Sequence, residues 1–325
     1  MNPWFTFCLP EDKKQTLEKA KKLEWITLFF LLTIVAVMYF AMGSSQAMKT
    51  ALLEDILSML PPVVFLVAIR FHDREANTQF PYGYRRALLL AFLAAAVAVL
   101  GLGVYIFYDS AATLFRQEHP TLGHMNLFGW FVWSGWVMMA ALVYSMIAPV
   151  ILGRIKLRYA KELHEKTLYA DATMNKADWI TAATGVAGII GIGFGLWWAD
   201  AVAALVISTS ILKDGFGNVR TAASDLMDQR PVEVASGKPL KIEERITDAL
   251  LQFPGIIDAN VRIREEGQLL TGEAFVVIDT TESLVEQLQK MSERASNLDW
   301  RVQNLIVVPV KKSRKKETNL QGASK

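Results

Sequence analysis

Residues 25–48 have the sequence WITLFFLLTIVAVMYFAMGSSQAM, which contains no charged side chain and is dense in Phe, Leu, Ile and Val. A helix needs about 20 mostly apolar residues to cross the hydrocarbon core of a bilayer, so this stretch predicts a membrane span. Residues 87–108 and 125–153 are two further charge-free runs of suitable length. The charged segment at 11–24, with no small-residue cleavage pattern after the apolar run, argues against a cleaved signal peptide.

The composition of the whole chain agrees with a membrane protein. Of its 325 residues 52% are hydrophobic and only 20% are charged, which is more apolar than an average soluble domain. A single cysteine, Cys8, excludes an internal disulfide framework and a multi-thiolate metal site. The net charge of +2 argues against a nucleic-acid partner, and the bilayer is the predicted surrounding.

Two regions are less uniformly apolar but have the length for further spans. The region 50–69 contains Glu54 and Asp55, and the region 164–213 is long enough for two helices with a break near 195–200. We therefore predict six spans, at 24–43, 50–70, 86–108, 126–152, 168–193 and 198–216.

The distribution of basic residues supports this count. Six spans place both termini on one side, and the opposite loops then hold little beyond Lys49 and Arg116. By the positive-inside rule the basic side is cytoplasmic, so we expect an integral, multi-pass protein of a bacterial inner membrane with both termini in the cytoplasm. The basic residues on the predicted cytoplasmic side are Lys13, Lys14, Lys19, Lys21, Lys22, Arg70, Arg74, Arg85, Arg86, Arg154, Lys156, Arg158, Lys161 and Lys166.

The sequence after the last span predicts a small α+β domain. Apolar residues recur with a helical period at 240–253 and 282–295, whereas 256–263, 270–278 and 302–310 are β-branched or alternating. The order αββαβ suits helices on one face of a sheet. The predicted organisation is a cytoplasmic N-terminal segment 1–23, a membrane domain 24–216, a soluble domain 217–310 and a basic tail 311–325, which is either solvated or in contact with anionic lipid.

Four of the carboxylates within the predicted spans are candidates for a position at membrane depth: Glu54, Asp55, Asp171 and Asp178. An ionised side chain at a helix centre costs on the order of 2.5–3.5 kcal/mol on insertion. At that depth each must face a water-filled cavity, a cation or another polar group. Glu54 and Asp171 are near predicted span ends, where simple solvation at the interface is an open alternative.

The spacing of these acids collects polar groups on single helix faces. One face of the fifth span carries Asp171, Met174, Asn175 and Asp178, and one face of the second carries Asp55, Ser58 and Pro62. Pro61 and Pro62 lack backbone N–H groups, which frees the carbonyls of Leu57 and Ser58. Interrupted helices with freed carbonyls at membrane depth are a recurring means of binding cations in transporters.

Three stretches resemble the cation diffusion facilitator family of metal efflux transporters. They are FPYGYRR at 80–86; YAD at 169–171 continuing to Asp178 and followed by GLWWADAVAA at 195–204; and SDLMDQRP at 224–231. The resemblance extends from about residue 20 to 310. It implies an all-α membrane domain of six transmembrane helices, a C-terminal α+β ferredoxin-like cytoplasmic domain, and a homodimer.

The sequence also departs from the family pattern. Zinc-type members carry a ligand pair spaced by four residues in the second and fifth spans. Here the matching pairs are Ser58 with Pro62 and Met174 with Asp178, so only Asp178 is retained. Phe80 and Tyr84 replace the histidines of the loop, and no His or Cys follows His164. The family's zinc sites in the loop and in the cytoplasmic domain are therefore predicted to be absent.

The available ligands then indicate the kind of cation. Zinc favours imidazole and thiolate, whereas carboxylates, amides, hydroxyls and carbonyls are hard oxygen ligands that suit Mn²⁺, Mg²⁺ or Ca²⁺. No cofactor is predicted apart from the transported cation. The candidate metal-site residues are Asp178, Asp55, Asn175, Glu54, Asp171 and Ser58.

The predicted spans, their carboxylates and the missing histidines bear on three possible functions. The sequence favours a cation exporter coupled to proton antiport and not an enzyme, with protonation of the carboxylates releasing the ion. A transport-inactive sensor or scaffold of the same fold is the alternative, because the family's histidines are missing. An intramembrane aspartyl hydrolase using Asp178 and Asp200 is disfavoured, because no Gly-x-Gly-Asp element is present and 193–196 is GFGL.

Overall fold

The computed structural model describes residues 9–72, 74, 77–117, 123–127, 130–279 and 283–311. They form two compact units. The first, here called the spanning unit, contains residues 10–228 and 234–236. The second, the C-terminal unit, contains the described residues of 229–233 and of 237 onward.

The spanning unit is built almost entirely of helices. Within the described residues, five segments are long and apolar enough to cross a membrane: α1, α2 together with α3, α4, α5 and α7. They make the protein an integral, multi-pass membrane protein. The remaining long helix, α6, has 28 residues, and its crossing of the membrane stays a prediction. The helices are α1 Glu11–Ala41, α2 Gln46–Leu57, α3 Leu60–His72, α4 Ala87–Phe115, α5 Ser134–Leu163, α6 Lys166–Gly193 and α7 Ala199–Leu226.

Several helices, α1 and α7 among them, extend beyond the predicted spans. The helix α1 begins at Glu11, so most of the charged segment predicted at 1–23 continues directly into the first span. Glu11 and Asp12 occupy its first turn, where carboxylates interact favourably with the helix dipole. The helix α7 continues to Leu226, ten residues past its predicted end at 216. Hydropathy detects the apolar part of a helix but not its polar ends.

The predicted fourth span, 126–152, is wrong at both ends. Its first residues belong to an antiparallel hairpin, β1 His124–Leu127 and β2 Trp130–Trp133, in which Leu127 pairs with Trp130. The aromatic and β-branched sequence WFVW favours a strand, and apolarity alone does not distinguish a short strand from a helix. The helix α5 then continues to Leu163, eleven residues beyond the predicted end.

The second span is interrupted where the prolines predicted it. The helix α2 ends at Leu57, α3 begins at Leu60, and Pro61 and Pro62 occupy the first turn of α3. A first turn tolerates proline because its N–H groups have no partner within the helix. The carbonyls of Leu57 and Ser58 therefore receive no hydrogen bond from the fourth residue along.

The described helices of the spanning unit pack closely around three apolar clusters. One joins α1, α2, α5 and α6 around Leu31 and Leu142, a second joins α2, α4 and α7 around Ile207, and a third joins α1, α3, α4, α5 and α6 around Phe65 and Leu163. The contact between α6 and α7 depends on small residues. A Cβ added to the glycine at 191 would lie 2.4 Å from the Cβ of the alanine at 199.

The C-terminal unit contains the predicted order of two helices and three strands. The antiparallel pair β3–β4 and the parallel pair β4–β5 form one three-stranded sheet with β4 in the centre. The apolar core lies between α8, α9 and one face of this sheet, around Ile246, Val276 and Met291. The tail predicted at 311–325 lies outside the described residues except for Lys311. The elements are α8 Ile242–Leu251, β3 Ile256–Glu266, β4 Leu269–Ile278, α9 Leu284–Ser296 and β5 Val302–Val310.

Candidate functional site

Two of the predicted acids lie on the last turn of α2, directly before the break. Glu54 Oε1 accepts a hydrogen bond of 3.2 Å from the hydroxyl of Thr181 on α6. The other carboxylate oxygen, Glu54 Oε2, is buried, as is Asp55 Oδ2, and neither has a hydrogen-bond partner among the described residues. Buried polar atoms are nearly always satisfied, so two unpartnered carboxylate oxygens beside a helix break mark this position as a candidate ligand site.

The contact with Thr181 brings α2 against a particular turn of α6. Asp178 lies three residues before Thr181 in the backbone of α6, and residues three apart are neighbours on a helix. The side chain of Asp178 lies outside the described residues. Glu54 is therefore the predicted site residue that contacts the turn of α6 following Asp178.

Ser58 is buried beside these acids but its hydroxyl is already used. Its Oγ donates to the backbone carbonyl of Glu54 at 3.0 Å, and its N–H donates to the same carbonyl at 2.8 Å. The backbone carbonyl of Ser58 receives no hydrogen bond from the next turn, because Pro62 has no N–H group. This carbonyl is therefore the group of Ser58 that is available to bind a ligand.

Asp171 and Asn175 are brought together, but in a different group. Asp171 forms an ion pair with Lys156 of α5, and Asn175 Nδ2 donates to Asp171 Oδ1 at 3.2 Å. Lys156 Nζ also lies 2.8 Å from Glu24 Oε2 on α1. We call these four residues the buried charge cluster. The sequence analysis placed Lys156 among the basic residues after a span predicted to end at 152, and Glu24 at the edge of a span; it did not predict that Lys156 is buried and paired with these acids.

A polar cavity of about 330 Å³ opens between α6 and α7. Its carboxylate, Asp214, is close enough to Glu54 for the two charges to interact. A much smaller cavity beside Pro61 shares Met174 and Asn218 with it. Asp214 was also missed: it lies near the end of the last span predicted at 198–216, and its sequence position alone did not relate it to Glu54. The larger cavity is lined by Ala170, Thr173, Met174, Lys213, Asp214, Gly217 and Asn218.

Asp200 has a structural role that separates it from this site. Its buried carboxylate accepts from the hydroxyl of Ser45 at 2.7 Å and from the backbone N–H groups of Gln46 and Ala47. It thus caps the first turn of α2, at the opposite end from Glu54. A hydrolase would need two carboxylates close enough to share a proton, and Asp200 is engaged elsewhere.

The described residues hold no group of three or more His, Cys, Asp or Glu side chains placed to bind a metal. In the loop after α3, the rings of Phe80 and Tyr84 lie 4.7 Å apart and the amide of Asn77 donates to the Tyr84 hydroxyl. Aromatic packing occupies the position where the related family has histidines.

Several apolar helices, an interrupted helix carrying buried acids, and a cavity between α6 and α7 are features typical of a membrane transporter. Residues 25–227 match the cation efflux transmembrane domain, and this match covers more than half of the chain. The protein belongs to the cation diffusion facilitator family, whose members are transporters and not enzymes. The resemblance found in the sequence is confirmed.

Similar proteins support the same assignment. The chain is 24% identical to the manganese efflux system protein MneS of Bacillus subtilis over 221 residues, which are 67% of this chain and 71% of the relative. It is 21% identical to the cation-efflux pump FieF of Yersinia pestis over 254 residues, 77% of both chains. It is 26% identical to the putative transporter MamV of Paramagnetospirillum magneticum over 223 residues, 67% of this chain and 63% of the relative.

Proposed function

We propose that this protein exports a hard divalent cation in exchange for protons and binds the ion between α2 and α6. The observation that carries the proposal is the position of Glu54. One of its oxygens bonds to Thr181, one turn from Asp178, and the other is buried without a partner in the described structure. A carboxylate held in this way has a lone pair available for a cation at the break between two helices.

The proposed ligands are Glu54 and Asp178, with Asp55 and the carbonyl of Ser58 beside them. Two carboxylates neutralise a divalent cation, and a carbonyl oxygen adds a further hard donor. Protonation of the carboxylates cancels the charge that holds the ion, which is the physical basis for exchange with protons. Asp171 and Asn175 precede this site on α6 and are not among its main ligands, since Lys156 already neutralises Asp171.

The ligand chemistry supports Mn²⁺ as the first cation to test. An all-oxygen site favours Mn²⁺, Mg²⁺ or Ca²⁺ over Zn²⁺. The name of the relative MneS refers to manganese efflux, which agrees with this ligand set. Zinc is the contrasting test cation, because the proposed ligands include neither imidazole nor thiolate.

The proposed topology has six spans with α6 as the fifth, and both termini in the cytoplasm of a bacterial cell. The excess of Lys and Arg on the side of the termini supports this orientation. The cavity lined by Asp214 and Asn218 is then the entrance from the cytoplasm. A carboxylate at its wall attracts cations before they reach Glu54.

We also propose a homodimer joined through a ferredoxin-like C-terminal unit. In the described part of the C-terminal unit, α8 and α9 cover one face of the sheet and no helix of this unit covers the other. Arg262 lies over the ring of Phe275 there at 5.1 Å, and Ile306 is 56% exposed. A second copy of the same face would bury these apolar groups, which is the usual arrangement of a twofold interface.

The test is Mn²⁺ transport by the full chain in proteoliposomes with an imposed pH gradient. Wild-type protein should move Mn²⁺ against a proton flux, and Glu54→Gln and Asp178→Asn should each reduce the rate by at least about 100-fold while the protein stays folded. The matched control is Glu286→Gln, which removes an exposed carboxylate from α9 and should leave transport unchanged. Absence of flux for every cation tested would reject the proposal and favour the sensor or scaffold.

A further inference from the structure

The buried charge cluster contains three ionisable side chains from three helices. Glu24 and Lys156 are 0% exposed and Asp171 is 2% exposed. Lys156 Nζ lies 2.8 Å from Glu24 Oε2 and is also bonded to Asp171, whose other oxygen accepts from Asn175. The ammonium therefore sits between two carboxylates in a part of the protein that water does not reach.

Two oxygens of the cluster have no partner in the described structure. They are Glu24 Oε1 and Asn175 Oδ1, and both belong to side chains that are fully buried. Such atoms lose the hydrogen bonds that they make to water in the unfolded chain, which costs free energy unless another donor or a cation replaces the water. They are lone pairs for which the cluster supplies no donor.

The oxygen atoms of the cluster form a ligand set of a recognisable kind. Two carboxylates and one amide oxygen are hard donors of the type that bind Mn²⁺, Mg²⁺ or Ca²⁺. Lys156 supplies one positive charge against two carboxylates, whereas a divalent cation would neutralise both. The ammonium thus occupies the place of a cation without fully balancing the site.

Stability alone does not account for this arrangement. A buried ion group usually contributes no more than apolar residues of similar volume would, because desolvation of the charges offsets their attraction. Asp171 lies seven residues before Asp178 on α6, a rise of about 10 Å along the helix axis. A cation bound at the cluster would be close to the proposed transport site but held by ligands of its own.

We propose that Lys156 is a tethered cation that fills a second oxygen-donor site formed by Glu24, Asp171 and Asn175. By occupying the site, the ammonium keeps divalent cations from binding there, so that they pass this level of the helix bundle without being retained. Removal of the ammonium then creates a divalent cation site that the wild-type protein does not offer.

The test uses Lys156→Met in the full-length purified protein, with Mn²⁺ as the probe. Equilibrium dialysis with paramagnetic resonance detection should show about one additional Mn²⁺ per chain compared with wild type. Because the variant leaves two carboxylates without a counter-ion, Mn²⁺ should also raise its unfolding temperature more than that of wild type. The same number of bound ions in both proteins would overturn the proposal.

Two further variants separate site creation from general disturbance. Lys166→Met is the matched control, since it removes a lysine that lies 2.7 Å from Asp225, outside the buried charge cluster; it should gain no Mn²⁺. The neutral variant Glu24→Gln/Lys156→Met/Asp171→Asn should fold without Mn²⁺ and also gain none. An additional ion bound by either protein would contradict the proposal.

Lys156→Met is purified in buffer containing Mn²⁺ if it does not fold without a cation. Folding that requires Mn²⁺ would support the proposal. Glu24→Gln/Lys156→Met is the second variant, because it leaves only one carboxylate uncompensated and should still bind Mn²⁺ more tightly than the neutral variant. Failure of both variants to fold with Mn²⁺ present would show that Lys156 is a structural requirement and would overturn the assignment.

Discussion

At the scale of single residues, the membrane acids of this protein have separate roles. Glu54 contacts α6, Asp171 is paired with a lysine, and Asp200 caps α2. All three are carboxylates in helices predicted from hydropathy, and their spacing alone does not distinguish them. Each role is set by the side chain that a neighbouring helix places opposite the acid, such as a threonine, an ammonium or a row of backbone N–H groups.

Asp214 should affect how well the transporter captures its cation, since it lines the cavity and interacts electrostatically with Glu54. We expect Asp214→Asn to raise the KM for Mn²⁺ by about 3- to 10-fold with little change in kcat, because the local cation concentration falls. The measurement is the initial rate of transport over a range of Mn²⁺ concentrations and salt concentrations.

A substitution of the neighbouring lysine should change the KM for Mn²⁺ in the opposite direction. Lys213 lines the same cavity next to Asp214, so Lys213→Gln removes a positive charge and should lower the KM for Mn²⁺. Both effects should weaken at high salt because the charges are partly screened. Unchanged KM values in both variants would show that cations do not enter through this cavity.

At the scale of elements, the break between α2 and α3 is the feature with the clearest consequence. It arises because Pro61 and Pro62 cannot donate to the preceding turn, and it lies directly after Glu54 and Asp55. The sequence predicted both the interruption and its neighbours. It did not predict the hairpin β1–β2, because the short stretch WFVW, three aromatic residues and a valine at the edge of a long apolar run, fits either a strand or a helix.

Restoring the helix should weaken cation binding. In Pro61→Ala/Pro62→Ala the carbonyls of Leu57 and Ser58 regain N–H donors, so they are no longer available to a ligand. We expect unfolding stability to stay the same or rise by about 1 kcal/mol, while Mn²⁺ affinity and transport both fall. Calorimetric binding and thermal unfolding of the same preparation would measure the two effects.

A proline elsewhere in the spanning unit provides the control for this experiment. Pro149 lies inside α5, is buried, and interrupts hydrogen bonding there without neighbouring any of the proposed ligands in sequence. Pro149→Ala should therefore leave Mn²⁺ affinity unchanged. If Pro149→Ala and Pro61→Ala/Pro62→Ala lose the same Mn²⁺ affinity, the effect is a general one of helix stiffness. If Pro61→Ala/Pro62→Ala keeps full affinity, the carbonyls of Leu57 and Ser58 are not ligands of the proposed site.

At the scale of the whole molecule, the proposed dimer should not depend on metal. No His or Cys follows residue 164, so a zinc site of the usual kind is not available to join two C-terminal units. We expect the full chain in detergent to remain dimeric after chelation, as measured by light scattering. A change to monomer on addition of chelator would contradict this expectation.

A surface substitution tests where the two copies meet. Ile306 lies on the sheet face that helices leave uncovered, and Val285 is 81% exposed on α9. Ile306→Arg should weaken association by at least about 10-fold because it places a charge in the proposed interface, whereas Val285→Arg should have no effect. The reverse result would move the interface to the helical face.

The sequence by itself determined the membrane character of the chain, the order αββαβ of its C-terminal unit, the break at Pro61 and the family. These depend on composition, local periodicity and short motifs, which act over one or two turns of chain. Only the tertiary structure decided that Lys156 binds Asp171 and Glu24, that Asp214 lies near Glu54, and that Asp200 caps α2. These pairs join different helices, and some are separated by more than a hundred residues. Their geometry follows from helix packing, which no local pattern records.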